Sequence, residues 1–393
     1  MPGAGRGAKG GTTMSGGVGG KITRRELLKK AGLAGTAAGL GGLAGLSPWS
    51  MARAWATPAG RVDVTHFIWI GGGQGIVPRE VKRKYEKLHP NVSIELYEGT
   101  NAVTYPKMVA QRQVDPNKPL INFGFFNIDA HTKGTLDDMW LPLDKKKIPN
   151  LEGIYEPYRI KDNRGAPWGM SGIGILHNRR LVREAPTSWN DIFDPRFKGK
   201  VVIFDYAFAF NGLLGVAYAN GGSEKNIDVA FERYARAARD GQFLALVTTN
   251  QQVKDALARG EALLAPYFMS FAITWNEEES GGQGPFGYGV PREGMIPFTY
   301  YFHIIKGSAS DQVEVASEVL NMYLWKDTMA RYCNFTAAVP LIKGAVMKPQ
   351  YKSEPSFAPA NIQKALQLDW AYIAEKTPEW RARWDRQVKA NMR

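Results

Sequence analysis

A glycine loop, one serine and five histidines are the groups in this chain most able to do chemistry. The segment Gly71-Gly72-Gly73-Gln74-Gly75 ends an apolar run and precedes a helical pattern. Such a loop can bring backbone N–H groups to an anionic ligand at a helix N-terminus. A dinucleotide fingerprint would need G-x-G-x-x-G, and Ile76 stands where the third glycine belongs. Ser171 lies in Gly169-Met170-Ser171-Gly172, but a nucleophile elbow would need glycine at Ile173. His66, His89, His131, His177 and His303 show no metal-ligand spacing with one another or with Cys333, the only cysteine. No cofactor and no metal centre is expected from these residues, and no disulfide can form within the chain.

The elements that must position these groups alternate. Residues 62–70 read as a β-branched and aromatic strand, 78–88 as a helix with Val81, Tyr85 and Leu88 on one face, and 92–97 as a second strand. This is a β-loop-α-β unit, with its strands parallel. Further helices are expected over 105–112, 136–140, 189–193, 224–239, 253–259, 313–325, 361–374 and 378–389. Further strands are expected over 121–128, 165–178, 201–204 and from 262 to 265. The pattern is that of an α/β protein of two layered lobes.

Charge and composition narrow the function. Residues 1–56 hold eight Lys/Arg against one Glu, so of the net charge of +13 only +6 falls on residues 57–393. The basic residues there are scattered, which does not fit a nucleic-acid footprint. Thr23-Arg24-Arg25-Glu26-Leu27-Leu28-Lys29 precedes a short Gly/Ala-rich apolar run and the small-residue site Ala54-Trp55-Ala56. This resembles a twin-arginine export signal, too short and glycine-rich for a membrane span. Residues 1–56 are therefore read as signal peptide and leader, with Met1 and Met14 both candidate starts. The twin-arginine translocase is the expected partner during export, and the remaining 337 residues exceed the usual size of one core.

Several segments carry a resemblance to one family. They are Leu141-Pro142-Leu143-Asp144 with Ile148-Pro149-Asn150, and Ala166-Pro167-Trp168-Gly169-Met170-Ser171-Gly172-Ile173-Gly174. The most specific runs from Thr187-Ser188-Trp189-Asn190-Asp191 through Phe193-Asp194-Pro195-Arg196-Phe197-Lys198-Gly199-Lys200-Val201. Arg259-Gly260-Glu261-Ala262 and Val290-Pro291-Arg292-Glu293-Gly294 complete the set. In this order they resemble the extracellular solute-binding proteins of ABC importers, nearest the polyamine- and ferric-iron-binding branch.

The resemblance implies a two-lobe periplasmic-binding-protein fold with hinge strands and a ligand cleft between the lobes. Lobe 1 would comprise residues 61–172 and a return segment, 268–325. Lobe 2 would comprise 173–267, with the C-terminal helices of 326–393 packing on it. Crossings between lobes are expected at 165–174 and near 266–272. The implied function is non-enzymatic: a monomeric, soluble periplasmic protein captures a small organic solute and delivers it to an ABC permease in the inner membrane. An exported serine hydrolase and a ligand sensor for a membrane receptor are the alternatives.

The pocket departs from the relatives. Polyamine binders typically show Trp-x-Gly-Asp after the Gly-Glu step, where this chain has Tyr267-Phe268-Met269-Ser270. Ferric-iron binders place two adjacent tyrosines there, and Phe268 replaces one. The candidate ligand contacts are Trp69, Gln74, Asn127, Asp129, Asp205, Tyr206, Phe208, Asn250, Tyr267 and Phe268. Aromatic rings suit an apolar or π body, or a quaternary ammonium. Asp205, at the end of a strand, is the leading polar candidate. Organic cation, organic anion and metal all remain open. The adjacent pair Tyr300-Tyr301 is read as structural.

Overall fold

The computed structural model describes residues 60–71, 73–205, 208–279 and 283–392. The leader expected over residues 1–56 lies outside them. Strand β1 (Val62–Trp69) is buried continuously from His66 to Ile68. Helix α1 (Ile76–Leu88) lays Val77, Val81 and Tyr85 on the sheet, a four-residue spacing that keeps them on one face. Strand β2 (Val92–Gly99) then pairs parallel with β1 from Val62↔Val92 to Trp69↔Gly99. This is the expected β-loop-α-β unit. Helix α2 (Asn101–Val114), strand β3 (Phe123–Asn127) and helix α3 (Ile128–Leu136) extend it, with β3 parallel to β1.

The 13-residue strand β4 (Ala166–Asn178) is buried along its whole length. A second parallel wing follows: β5 (Val201–Phe204), α4 (Leu213–Ala219), α5 (Asp228–Arg239), β6 (Phe243–Val247), α6 (Asn250–Ala258), β7 (Leu264–Phe268) and α7 (Met269–Glu278). The chain continues through β8 (Phe286–Gly289), β9 (Ile296–Ile304), α8 (Ser310–Tyr323), α9 (Lys326–Thr336), β10 (Val339–Pro340), α10 (Pro359–Gln363) and α11 (Trp370–Gln387). One sheet runs in the order β2-β1-β3-β9-β4-β7-β5-β6, with β8 and β10 added along β4. The outer wings are parallel, and β9 and β4 join them antiparallel.

Two large cores flank this junction, and they make the α/β fold two-lobed. One gathers Ile68, Val81, Phe125, Trp168, Phe302 and Tyr332. The other gathers Ile175, Trp189, Val202, Phe231, Leu264 and Trp384. Strand β4 contributes Trp168 to the first and Ile175 to the second, and β9 contributes Phe302 and Phe298 in the same way. Trp189 is fully buried against Gly215, where a Cβ would lie 2.2 Å from its Cε2, so only glycine admits the ring.

Three expectations about elements need correction. The return crossing is β9, not residues 266–272, because β7 is wedged between β4 and β5 and packs wholly in the second core. Residues 326–393 do not all pack on the second lobe: α9 gives Met329, Tyr332 and Cys333 to the first core, whereas α11 gives Trp380 and Trp384 to the second. The helix expected at 136–140 is the end of α3, followed by a turn at Asp138 with φ 54°. Trp140 there leaves the helix to stack on His303, ring centroids 4.0 Å apart. Among the described residues no helix is long and apolar enough to cross a membrane.

Candidate functional site

Parallel strands end where their following loops splay apart, and open α/β sheets bind ligands at such ends. Here β1, β2, β3 and β7 end around a cavity of about 150 Å³ at the junction of the two cores. From the first side come Trp69 and Ile70 after β1, Gln74 before α1, Thr100 and Asn101 opening α2, and Asn127 opening α3. From the second come Asn250 at the start of α6, Tyr267 and Phe268 ending β7, and Ser270, Phe271 and Thr274 on α7. The crossing strand β9 supplies Phe298 and Tyr300 between them, and Phe210 and Thr336 complete the wall.

Local capping explains why these side chains are placed so firmly. Asn127 caps α3, its Oδ1 accepting the Ala130 N–H at 2.9 Å. Asn101 Oδ1 accepts both the Trp69 indole N–H at 2.9 Å and the Asn127 backbone N–H at 3.1 Å. That bond fixes the Trp69 ring, which meets Tyr300 edge-on with centroids 5.0 Å apart. On the other side Thr249 and Gln252 form a reciprocal capping box that sets the start of α6, hence Asn250. The Tyr267 hydroxyl donates to Asn250 Oδ1, and the Tyr332 hydroxyl donates to Gln74 Oε1. Aromatic contacts continue along the wall: Phe298 meets Phe268 at 5.1 Å, and Phe268 meets Phe210 at 4.6 Å.

Among the described residues the lining holds no Lys, Arg, Asp, Glu or His. Burial pushes the Tyr267 and Tyr300 phenols up, so both stay neutral hydroxyls. A hard trivalent ion favours phenolate or carboxylate oxygen, and this lining offers neither. Among the described residues no group of three or more His, Cys, Asp and Glu could hold a metal ion.

Six of the sequence candidates meet in the cavity: Trp69, Gln74, Asn127, Asn250, Tyr267 and Phe268. Three lie elsewhere. Asp205 is 8% exposed and faces the C-terminal helix, accepting from Trp384 Nε1 at 2.9 Å and Lys389 Nζ at 2.8 Å. Phe208 is buried against Phe231, Trp380 and Trp384. Asp129 points outward from the first turn of α3 and pairs with Lys133 at 2.8 Å. Tyr206 lies outside the described residues. Tyr300, read from sequence as structural, instead lines the cavity, while Tyr301 on the opposite face stacks on His131. Asn101, Phe271 and Phe298 were not anticipated; only the position of Asn101, directly after a strand and before a helix, was a usable sign.

A model described as bacterial extracellular solute-binding protein matches residues 121–376. No curated protein matches the chain. Among solved structures, the spermidine/putrescine ABC transporter substrate-binding protein PotD from Streptococcus pneumoniae, in complex with calcium and HEPES, is similar with a TM-score of 0.66 at 16% identity, covering 84% of this chain and 99% of that one. An ABC transporter substrate-binding protein from Bradyrhizobium japonicum reaches 0.65 at 18% identity, covering 85% and 100%. The periplasmic binding protein AfuA from Actinobacillus pleuropneumoniae, with exogenous fructose-6-phosphate bound, reaches 0.64 at 16% identity, covering 84% and 99%. At these identities the likeness is one of fold.

Proposed function

The chain belongs to the bacterial extracellular solute-binding proteins, and from that premise we propose that it captures a small organic solute in the periplasm and delivers it to an ABC permease in the inner membrane. The observation that carries this reading is the cavity itself, walled from both cores and bridged by Tyr300 on a strand that passes between them. A solute seated there touches both lobes at once, so lobe closure and binding stabilise each other. Lobe 1 is drawn from β1–β3, α8 and α9, and lobe 2 from β5–β7, α4–α6 and α11.

The ligands named for the structural neighbours do not transfer. A polyamine needs carboxylates to replace the hydration of its ammonium groups, and a sugar phosphate calls for cationic side chains. Among the described residues the lining has none of these. Binding rather than hydrolysis is further supported by Ser171, which is buried and whose hydroxyl donates to Ser270 at 3.0 Å, with no histidine in the lining. Export through the twin-arginine route rests on Thr23–Lys29.

A thermal-shift screen of the exported protein against organic acids, amines, neutral solutes and ferric iron tests the proposal. A ligand at 100 times its dissociation constant should stabilise the protein by about 2.7 kcal/mol. The hit should also change the emission of Trp69 and compact the protein in small-angle scattering. No stabilisation by any class would overturn the capture reading.

A further inference from the structure

Four primary amides line the cavity, Gln74, Asn101, Asn127 and Asn250, and all four spend their oxygen on the protein. Gln74 Oε1 is taken by the Tyr332 hydroxyl, Asn127 Oδ1 by the Ala130 N–H, and Asn250 Oδ1 by the Tyr267 hydroxyl. The NH2 groups of these three have no protein acceptor among the described residues, so what they offer the cavity is donors. The fourth amide, Asn101, has its oxygen doubly occupied by Trp69 and Asn127. Helix ends add to this polarity. The first turns of α2 and α7 have no side-chain cap, and Thr100, Asn101, Phe268, Ser270 and Phe271 from those turns form part of the wall. Uncapped N–H groups at a helix N-terminus carry partial positive charge.

From these observations, and resting on the solute-capture reading, we propose that the solute is a single-ring organic acid whose carboxylate is held by neutral amide donors and helix N-termini, without a cationic side chain. A cation would meet donors and find no carboxylate. The size follows from the space: about 150 Å³ walled by Trp69, Phe268, Phe271, Phe298 and Tyr300 matches one six-membered ring. The amide donors favour acceptor oxygens, the helix ends favour negative charge, and the aromatic wall favours a flat body.

The test is calorimetry on the full exported protein with benzoate, 4-hydroxybenzoate, benzamide and benzylamine as probes. At least one acid should bind about tenfold or more tighter than benzamide, and benzylamine should not bind. Gln74→Glu, Asn127→Asp and Asn250→Asp each keep the oxygen that accepts from the protein and replace the donor NH2 by a negative oxygen. Each should weaken the acid by about tenfold or more and benzamide by a smaller factor, because only the acid adds charge repulsion to the lost donor, while leaving thermal stability nearly unchanged. Benzamide or benzylamine binding as tightly as the acids would overturn the assignment and leave capture standing. Silence from every ring probe would overturn it too. Native mass spectrometry of the protein as purified then separates the two failures: a co-purified solute of another class preserves capture, and an empty protein that also ignores the broad screen sinks both.

Discussion

Replacing Asp205 separates binding from folding. Its carboxylate sits at the end of β5 and holds the C-terminal helix through Trp384 Nε1 at 2.9 Å and the turn after it through Lys389 Nζ at 2.8 Å. Trp384 is fully buried and belongs to the second core, so Asp205→Ala would leave its indole N–H unpaired. An orphaned buried donor costs about 1–3 kcal/mol. The Lys389 ammonium is 44% exposed, so solvent screens that pair and its loss adds less than about 1 kcal/mol. Asp205→Ala should thus cost about 1–4 kcal/mol. In a chain this long that lowers Tm by roughly 1–6 °C. Asp205→Asn keeps an oxygen for Trp384 and should cost only about 1 kcal/mol. Neither change should alter ligand affinity, because Asp205 is absent from the cavity wall. Differential scanning calorimetry and calorimetric titration on the same samples read both quantities. An unchanged Tm with a weakened Kd for Asp205→Ala would refute the assignment and return Asp205 to the site.

Burial raises the Glu318 carboxyl to about 7, with the Tyr85 hydroxyl donating to it at 2.6 Å. A raised carboxyl favours the folded state fully at acid pH, below its unfolded range, and loses that contribution as pH climbs through 7. Tm should therefore fall between about pH 5 and pH 8, and Glu318→Gln should flatten the profile and add up to about 3 kcal/mol at the alkaline end; an unaltered slope would rule out Glu318 as its source. Ser171→Ala should leave ligand affinity intact, and a fluorophosphonate probe should not label the parent protein; labelling at Ser171 would revive the hydrolase reading. Arg24→Lys together with Arg25→Lys should hold the protein in the cytoplasm, as cell fractionation would reveal, and unchanged export would exclude the twin-arginine route.

What could be read from the sequence depended on how local its cause was. Trp69, Asn127 and Tyr267 lie at strand ends followed by helices, a pattern visible over about ten residues, and all three reach the cavity. Asp205 looked equally well placed, but its partners Trp384 and Lys389 are 179 and 184 residues away, and nothing local announces them. Helix α7 was missed because Met269, Ala272, Ile273 and Trp275 bury it on several sides, so no stripe marks it as helical. The C-terminal boundary failed for two reasons. Leu366 N–H donates to Met295 O, pulling the chain out of the expected helix over 361–374, and α11 then runs through Pro378, where a helix start was expected.

The reading of Tyr300 as structural rests on the family resemblance, which places the segment after Pro291 in a strand. Its neighbour Tyr301 does stack on His131, yet Tyr300 turns to the cavity, as period-two alternation requires. The consequence reaches past the site. Trp168 of β4 meets Tyr300 of β9 at 5.1 Å, and both meet Trp69, at 6.1 Å and 5.0 Å. These are the two strands that pass between the cores, so the wall a ligand presses against is built on the segments about which the lobes must turn. Trp69 packs against the first core, whereas Phe268 belongs to the second and Phe271 packs on it, so a ring bound between them should touch both sets only when the lobes are closed. Its binding free energy is then different in each lobe arrangement, and that difference is what a ligand needs to shift a two-state equilibrium.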